Sequence, residues 1–246
     1  KPRSFATSLT SLFVAPSKIM LSDDSAARGV HVPDGVEGYP ISNFVIPEHY
    51  QPDLSYVLLP HGLIFSRTEK LAADVFKAYD FSNGARVHML CVLKGGHEFF
   101  SDLISCLKPH LARGCAHVPI AFDFIRVKSY QDTESNGQPT ISATGVDLEE
   151  LRDKHVLVVE DIIDTGTTMA MLVPFLESYG ARSVKVASLL QKRTQRSNGF
   201  SGDFIGFSIP DLFVVGYCLD YNEIYRDMDH ICVMSPAGIS RHASLS

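Results

Sequence analysis

Across its 246 residues the sequence lacks any apolar stretch long enough to cross a bilayer, so no membrane-spanning helix is expected. It also lacks paired cysteines. Cys91, Cys106, Cys115, Cys218 and Cys232 are odd in number, widely spaced and free of any C-x-x-C. That spacing argues against a disulfide framework or a zinc ribbon and fits a reducing compartment, with the cytoplasm as the expected location. There is no excess of basic charge: 22 Lys and Arg stand against 28 Asp and Glu, a net charge of −6. A general nucleic-acid coat is therefore disfavoured, while a local basic pocket for a phosphorylated small molecule remains compatible. Several motifs are missing as well. No G-x-x-x-x-G-K-[ST] occurs, and His97-Glu98 does not continue to H-E-x-x-H. His155 and His230 flank apolar runs without a second ligand at metal spacing, and no G-x-S-x-G suggests a hydrolase. Neither repeats nor low-complexity linkers break the chain.

What is present is enough apolar residue, 45% of the chain, to bury the core of one large α/β domain. Residues 1–37 read as an N-terminal extension. From Lys1 to Leu21 there are Lys1, Arg3 and Lys18, interspersed serines and threonines, and no acid. The bias resembles an organelle transit peptide; a disordered tail is the reading adopted. Regular structure is expected from near Gly38, the main domain over 38–238, and a C-terminal tail over 239–246. Ser66-Arg67-Thr68-Glu69 reads as a capping box opening a helix whose apolar face is Leu71, Ala72, Val75, Phe76 and Tyr79. Buried strands are expected at Val87–Leu93, Pro119–Phe124, Val156–Val159, Val184–Leu190, Phe213–Tyr217 and Ile231–Met234, and helices at Glu98–Leu107 and Thr167–Tyr179, the latter kinked or interrupted at Pro174. Gln131 to Gly145 is polar and turn-rich, the character of a lid or binding loop. Strands alternating with helices predict a mainly parallel twisted sheet flanked by helices, with ligands at its carboxyl ends.

The most informative stretch runs from Val156 through Glu160-Asp161-Ile162-Ile163-Asp164-Thr165-Gly166-Thr167-Thr168. A buried strand leads into two adjacent carboxylates and a third, then a small hydroxyl- and glycine-bearing turn that opens a helix. The turn and helix start present backbone amides and a positive dipole end, which suit a phosphate. Three acids would repel that phosphate unless they bind other parts of the same ligand. Sugar hydroxyls and a divalent cation fit, because carboxylates accept from the first and coordinate the second. The inferred ligand carries a phosphate, a diol and magnesium.

This acidic stretch resembles the phosphoribosyl-pyrophosphate motif of the type I phosphoribosyltransferase family. Four further stretches are similar to its 6-oxopurine branch: Leu93–Gly96, Phe124–Tyr130, Ala187–Thr194 and Phe213–Glu223. The similarity spans roughly Gly38 to Gly238. The resemblance implies that fold, with a smaller hood made from the N- and C-terminal parts, and a magnesium-dependent transfer of a phosphoribosyl group to hypoxanthine or guanine, with xanthine as a third candidate base. It implies that Glu160 and Asp161 hold the ribose hydroxyls and a magnesium ion, and that Asp164 assists proton movement at purine N7. Thr165, Gly166, Thr167 and Thr168 would cradle the 5′-phosphate; many relatives carry lysine at the position of Thr167. Lys192 would donate to the 6-oxo group, Phe213 stack on the purine, and Val214 read the base edge through its backbone. Asp220 would stand beside the purine as ligand of a second magnesium, and Arg226 would contact pyrophosphate. Lys94-Gly95 matches a peptide expected to be cis, and Ser129 and Tyr130 match the tip of a closing loop. The implied partners are phosphoribosyl pyrophosphate and a 6-oxopurine, with neither nucleic acid nor membrane, in a homodimer or homotetramer. The rival readings are a nucleotide- or RNA-binding regulator on the same fold and an adenine or pyrimidine phosphoribosyltransferase. The presence of Asp164, Lys192, Asp220, Lys94 and Arg226 speaks against the first, and Lys192 with Phe213–Glu223 against the second.

Overall fold

A computed structural model describes residues 29–79, 81, 85–114, 120–130 and 140–243. Its main sheet has seven strands, in the order β1 (Val30–His31), β8 (Phe204–Pro210), β7 (Ser183–Arg193), β6 (His155–Ile163), β3 (Val87–Val92), β4 (Ala121–Tyr130) and β5 (Thr140–Thr144). All neighbours pair in parallel except β4 and β5, which are antiparallel. The central strands β3 and β6 are almost wholly apolar from Val87 to Val92 and from Val156 to Val159, because both faces are covered. Helices α1 (His61–Ala78) and α2 (His97–Gly114) share one core with the sheet through residues such as Leu71, Val75, Phe99 and Leu103. Helix α3 (Thr167–Ser178) packs with Leu172 and Leu176 in a second core that includes Val156, Val158 and Ile205. The expected α/β architecture is the observed one.

The expected hood is a three-stranded antiparallel sheet, β2 (Leu54–Leu59), β10 (Ile231–Met234) and β9 (Val214–Val215), with helix α4 (Pro236–His242) beside it. Strand β2 precedes the central strands β3 to β8 in the chain and β9 and β10 follow them, so N- and C-terminal parts both contribute.

Several local expectations are corrected. Helix α1 begins at His61, five residues before Ser66, so the capping-box reading fails. Pro60 is extended and its carbonyl accepts from the amides of Leu63 and Ile64, which starts the helix there. Helix α2 continues past Leu107 through Pro109, and α3 continues through Pro174. Strands β6 and β7 outrun their apolar segments: Glu160 and Asp161 lie on β6 itself, and Lys192 on β7. Regular structure starts at Val30, inside the expected extension, because β1 adds to the sheet edge beside Phe207 and Ser208. Strands β2 and β8 were not anticipated; in β8 Gly206 lowers the apolar signal, yet an added Cβ there would meet the Leu189 carbonyl oxygen at 2.5 Å. Ser129 and Tyr130 end β4, paired with Ile141 and Thr140, rather than standing in a loop. Of the expected lid, residues 131–139 lie outside the described residues, as do residues 1–28 of the extension; residues 140–144 form β5.

Candidate active site

The carboxyl end of β6 organises the site. Successive strand residues face opposite ways, so Glu160 and Asp161 are delivered to two different clefts. One cleft, with about 620 Å³ of empty space, runs from Glu160 past Asp164 to the Thr165–Thr168 turn, with Val92 and Val127 also lining it. The second, of about 560 Å³, is bounded by Asp161, Asp164, Lys192, Phe213, Val214 and Asp220. Ile162 and Asp164 line both, so the clefts meet there.

In the first cleft Gly166 adopts φ 82°, a left-handed backbone that turns the strand into α3. A Cβ at this position would meet Asn198 Oδ1 at 2.4 Å and Phe200 Cβ at 2.9 Å, so the turn has no room for a side chain. Thr165 and Thr167 hydroxyls lie 3.0 Å apart, and Asn198 donates its amide to the Thr165 carbonyl. The Thr167 amide donates weakly to Thr165 Oγ1 at 3.4 Å, and the residues of this first helical turn of α3, Thr167 to Met169, line the cleft, where a helix start suits an anion.

In the acidic pair Asp161 is buried and Glu160 half-buried. Glu160 Oε2 has no hydrogen-bond partner, and Asp161 is 9% exposed, with Oδ1 accepting from the Ile162 amide at 2.6 Å. Burial pushes the Glu160 carboxyl well above the ordinary carboxylate range, and the adjacent Asp161 charge adds to the push. Burial raises Asp161 as well, against hydrogen bonds and the pull of Arg226. Gly95 closes over this pair: a Cβ there would stand 1.5 Å from Asp161 Oδ2.

In the second cleft Lys192, with its side chain 10% exposed, donates to Asp164 Oδ2 at 3.2 Å. Arg196 approaches the other oxygen, Asp164 Oδ1, at 3.4 Å and pairs with Asp211 at 3.6 Å. Phe213 leaves 40% of its surface exposed and meets Tyr221 edge-on at 5.0 Å. Arg226 pairs with Asp220 Oδ1 at 2.8 Å and donates to the Cys218 carbonyl at 2.6 Å, while Asp220 Oδ2 accepts the Glu223 amide at 2.8 Å. Glu223 also accepts from Lys94 Nζ at 2.9 Å, and that contact, joined by the charge of Arg226 and opposed by slight desolvation, holds its carboxyl below the usual range.

Of the residues expected at the site, Glu160, Asp164 and Thr165–Thr168 line the first cleft and Asp161, Asp164, Lys192, Phe213, Val214 and Asp220 the second, while Gly95 abuts Asp161, Arg226 pairs with Asp220 and Lys94 pairs with Glu223. Side chains of Ser129 and Tyr130 lie outside the described residues. The cis peptide joins Leu93 and Lys94, one bond earlier than expected. Arg196 and Glu223 were missed as site residues. Arg196 sits two residues beyond Thr194, where a turn after β7 brings it back toward Asp164, and Glu223 closes the Phe213–Glu223 stretch already singled out.

Comparison with known proteins places these features in context. The family described as phosphoribosyl transferase domain matches residues 58–222. Hypoxanthine-guanine phosphoribosyltransferase of Homo sapiens is 49% identical over 214 residues, 87% of this chain and 96% of that protein. The protein of the same name from Bos taurus is 48% identical over 219 residues, 88% of this chain and 99% of its own length. A crystal structure of hypoxanthine-guanine phosphoribosyltransferase from Schistosoma mansoni in complex with IMP superposes with a TM-score of 0.73 at 39% identity, covering 87% of this chain and 99% of that one.

Proposed function

Because this chain belongs to the hypoxanthine-guanine phosphoribosyltransferase family, we propose that it transfers the 5-phosphoribosyl group of phosphoribosyl pyrophosphate to N9 of hypoxanthine or guanine, releasing pyrophosphate and IMP or GMP. The observation that carries this reading is the meeting of an amide-lined cleft and a base-sized cleft at Asp164, with Lys192 at its side. A phosphate and a purine joined by a ribose would span them.

The amides of Thr165, Gly166, Thr167 and Thr168 hold the 5′-phosphate at the positive end of α3. Threonine at 167 in place of a lysine leaves those amides in place. Glu160 and Asp161 take the ribose hydroxyls, which supply the donors the unpartnered Glu160 Oε2 lacks. Phe213 offers its exposed face for stacking, and Val214 reads the purine edge through its backbone. Lys192 has three N–H donors, so it can keep Asp164 and still donate to O6. Asp164 then faces N7, next to O6 on the same purine edge. A donor beside a carboxylate suits an O6 acceptor beside an N7–H; a 6-amino group has nothing to accept from Lys192. As N9 bonds to C1′ and the C1′–pyrophosphate bond breaks, the N7 proton passes to Asp164. Lys94, Gly95 and Arg226 face the departing pyrophosphate.

The residues fit magnesium in a particular way. Among the described residues no group of three ligating side chains stands together. A buried and a half-buried carboxylate, with the Glu160 Oε2 atom unpartnered, nevertheless suit an ion that takes its remaining ligands from water and substrate oxygens. Glu160 and Asp161 would hold it, and Asp220 a second one, sharing its oxygens with Arg226 and the Glu223 amide. When bound, the ion supplies charge neutralisation for the diphosphate.

The test is incubation with phosphoribosyl pyrophosphate, Mg²⁺ and hypoxanthine, guanine, xanthine or adenine in turn. IMP and GMP are expected; rapid AMP formation with no turnover of hypoxanthine or guanine overturns the reading. Binding of nucleotide without any turnover would favour the regulator. We further read the active form as a homodimer or homotetramer in a reducing compartment such as the cytoplasm. Among the described residues Cys91, Cys106, Cys218 and Cys232 are free thiols, which supports the compartment.

A further inference from the structure

The loop that carries Asp220, Glu223 and Arg226 has an unusual backbone. Tyr217, Cys218, Asn222, Glu223 and Tyr225 all have φ between 52° and 76°, a region that residues with a Cβ rarely occupy. Such a conformation persists only where the surroundings hold it. Hydrogen bonds within the loop do part of this, and side chains that point away from the clefts do the rest. Tyr217 donates its hydroxyl to Asp102 at 2.6 Å, in α2. Tyr221 donates to the Ile239 carbonyl at 3.3 Å, and Asn222 Nδ2 to the His242 carbonyl at 2.8 Å, both in α4. Tyr225, 1% exposed, donates to Asp53 Oδ2 at 2.9 Å.

Asp53 is the hub of that arrangement. It is 3% exposed and receives Tyr225, Arg241 and His242 Nε2, the last at 3.1 Å. Burial alone would raise its carboxyl; His242, Tyr225 and Arg241 outweigh that and hold it below the ordinary range. The Ser235 amide donates to the Asp53 carbonyl, and Gly238 lies so close that a Cβ would meet that oxygen at 2.4 Å. Helix α4 is thus seated on the turn at Gln51–Asp53 by backbone contact, by charge and by the absence of a side chain at 238. None of Asp53, Tyr225, Arg241 or His242 falls within the matched family segment, 58–222.

We propose that α4 is a latch, and that Arg241, His242 and Asp53 are positioning residues that hold the left-handed loop 217–226 with Asp220 and Arg226 aimed into the site. None of the three touches the clefts; they act through Tyr221, Asn222 and Tyr225. Releasing the latch frees the loop to relax toward ordinary backbone angles, which withdraws Arg226 and Asp220 and leaves the phosphate turn and Lys192 in place. The proposal rests on the phosphoribosyltransferase reading for what the loop binds, and not for the mechanical coupling.

The experiment uses the full chain and two variants, Arg241→Ala and Gly238→Ala, the second wedging α4 off Asp53 without changing any charge. Hydrogen exchange reports the latch directly: protection should fall in 217–226 and α4 while β3, β6 and β7 keep theirs. Kinetics report its consequence. The KM for phosphoribosyl pyrophosphate, and for pyrophosphate in the reverse reaction, should rise roughly 10–100-fold, with the KM for hypoxanthine moving much less, and Arg241→Lys should recover part of the loss. Unchanged exchange in 217–226, or a uniform loss of protection across the sheet, overturns the latch. Selective exchange in an enzyme that turns over no 6-oxopurine would keep the latch and reject the function.

Discussion

On the phosphate side of the site, the proposed ligand-facing groups, Glu160, Asp164 and Thr165–Thr168, all fall within nine consecutive residues laid along one strand, one turn and one helix start. On the base and pyrophosphate side, Lys94, Lys192, Phe213, Asp220 and Arg226 come from separate stretches, and two of them ride on a loop with five left-handed side-chain-bearing residues. The first region is fixed by local geometry: a parallel strand must end where its helix begins, and the amides there point at whatever stands above. The second is fixed at long range, by α2, by the Gln51–Asp53 turn and by α4. Local motifs should therefore tolerate distant change and fail on contact substitutions, whereas the loop should be vulnerable from far away.

Asp164, where the regions join, gives the largest expected effect. Asp164→Asn keeps the side chain's size and the turn's amides but removes the negative charge that faces N7 and pairs with Lys192. Turnover should fall by about 10²–10⁴-fold, with the thermal midpoint shifted little and binding of phosphoribosyl pyrophosphate retained. Single-turnover rates beside a thermal melt decide it; turnover within a few-fold of the parent would leave Asp164 only as the ion-pair partner of Lys192 and Arg196.

Gly95→Ala is expected to come second. Its Cβ would overlap the buried Asp161 carboxylate, which has to move. Affinity for phosphoribosyl pyrophosphate, read by calorimetry, should drop roughly 10–100-fold, while Gly62→Ala, with open space around it, should change nothing.

How much of this was legible beforehand follows the same division. The strand–turn–helix at Glu160–Thr168 was readable because apolar run, acids, glycine and helix start are contiguous and each has one physical meaning. Its length was not: β6 and β7 extend past their apolar cores, since strand pairing to neighbours such as Ser188 and Leu190 continues where hydrophobicity stops. The start of α1 was misplaced because S-x-x-E also occurs inside helices, and Pro60 outranked it. Lys94, Asp220 and Arg226 were reached only through resemblance, as nothing in their local sequence marks a lysine after a strand or an arginine in a turn as ligand-facing. Arg196, Glu223 and the Asp53 latch were invisible for the same reason: each depends on contacts between residues far apart in the chain.

A smaller effect separates stability from function on the phosphate side. The Glu160 carboxyl is raised by burial and by Asp161, so its ionised form costs stability at neutral pH. For an acid raised in the folded state, stability grows as pH falls from neutral toward the ordinary carboxylate range. Glu160→Gln should remove much of that pH dependence and raise the neutral-pH melting point by about 2–4 °C, equivalent to roughly 1 kcal/mol for a domain of this size, while activity is lost. A lower melting point across the whole pH range would mean the pair is structural.

The claim that two differently built clefts bind the two ends of one nucleotide is tested most directly with IMP and AMP, which share phosphate and ribose and differ at the purine 6-position. Equilibrium binding of each to the parent and to Lys192→Ala isolates the base cleft from the phosphate cleft. The account predicts that the parent binds IMP more tightly by about 1.5–3 kcal/mol, roughly 10–150-fold, the worth of one charge-assisted hydrogen bond, and that Lys192→Ala erases most of the difference by weakening IMP alone. AMP bound as tightly as IMP by the parent, or a preference for IMP that survives Lys192→Ala undiminished, would contradict it.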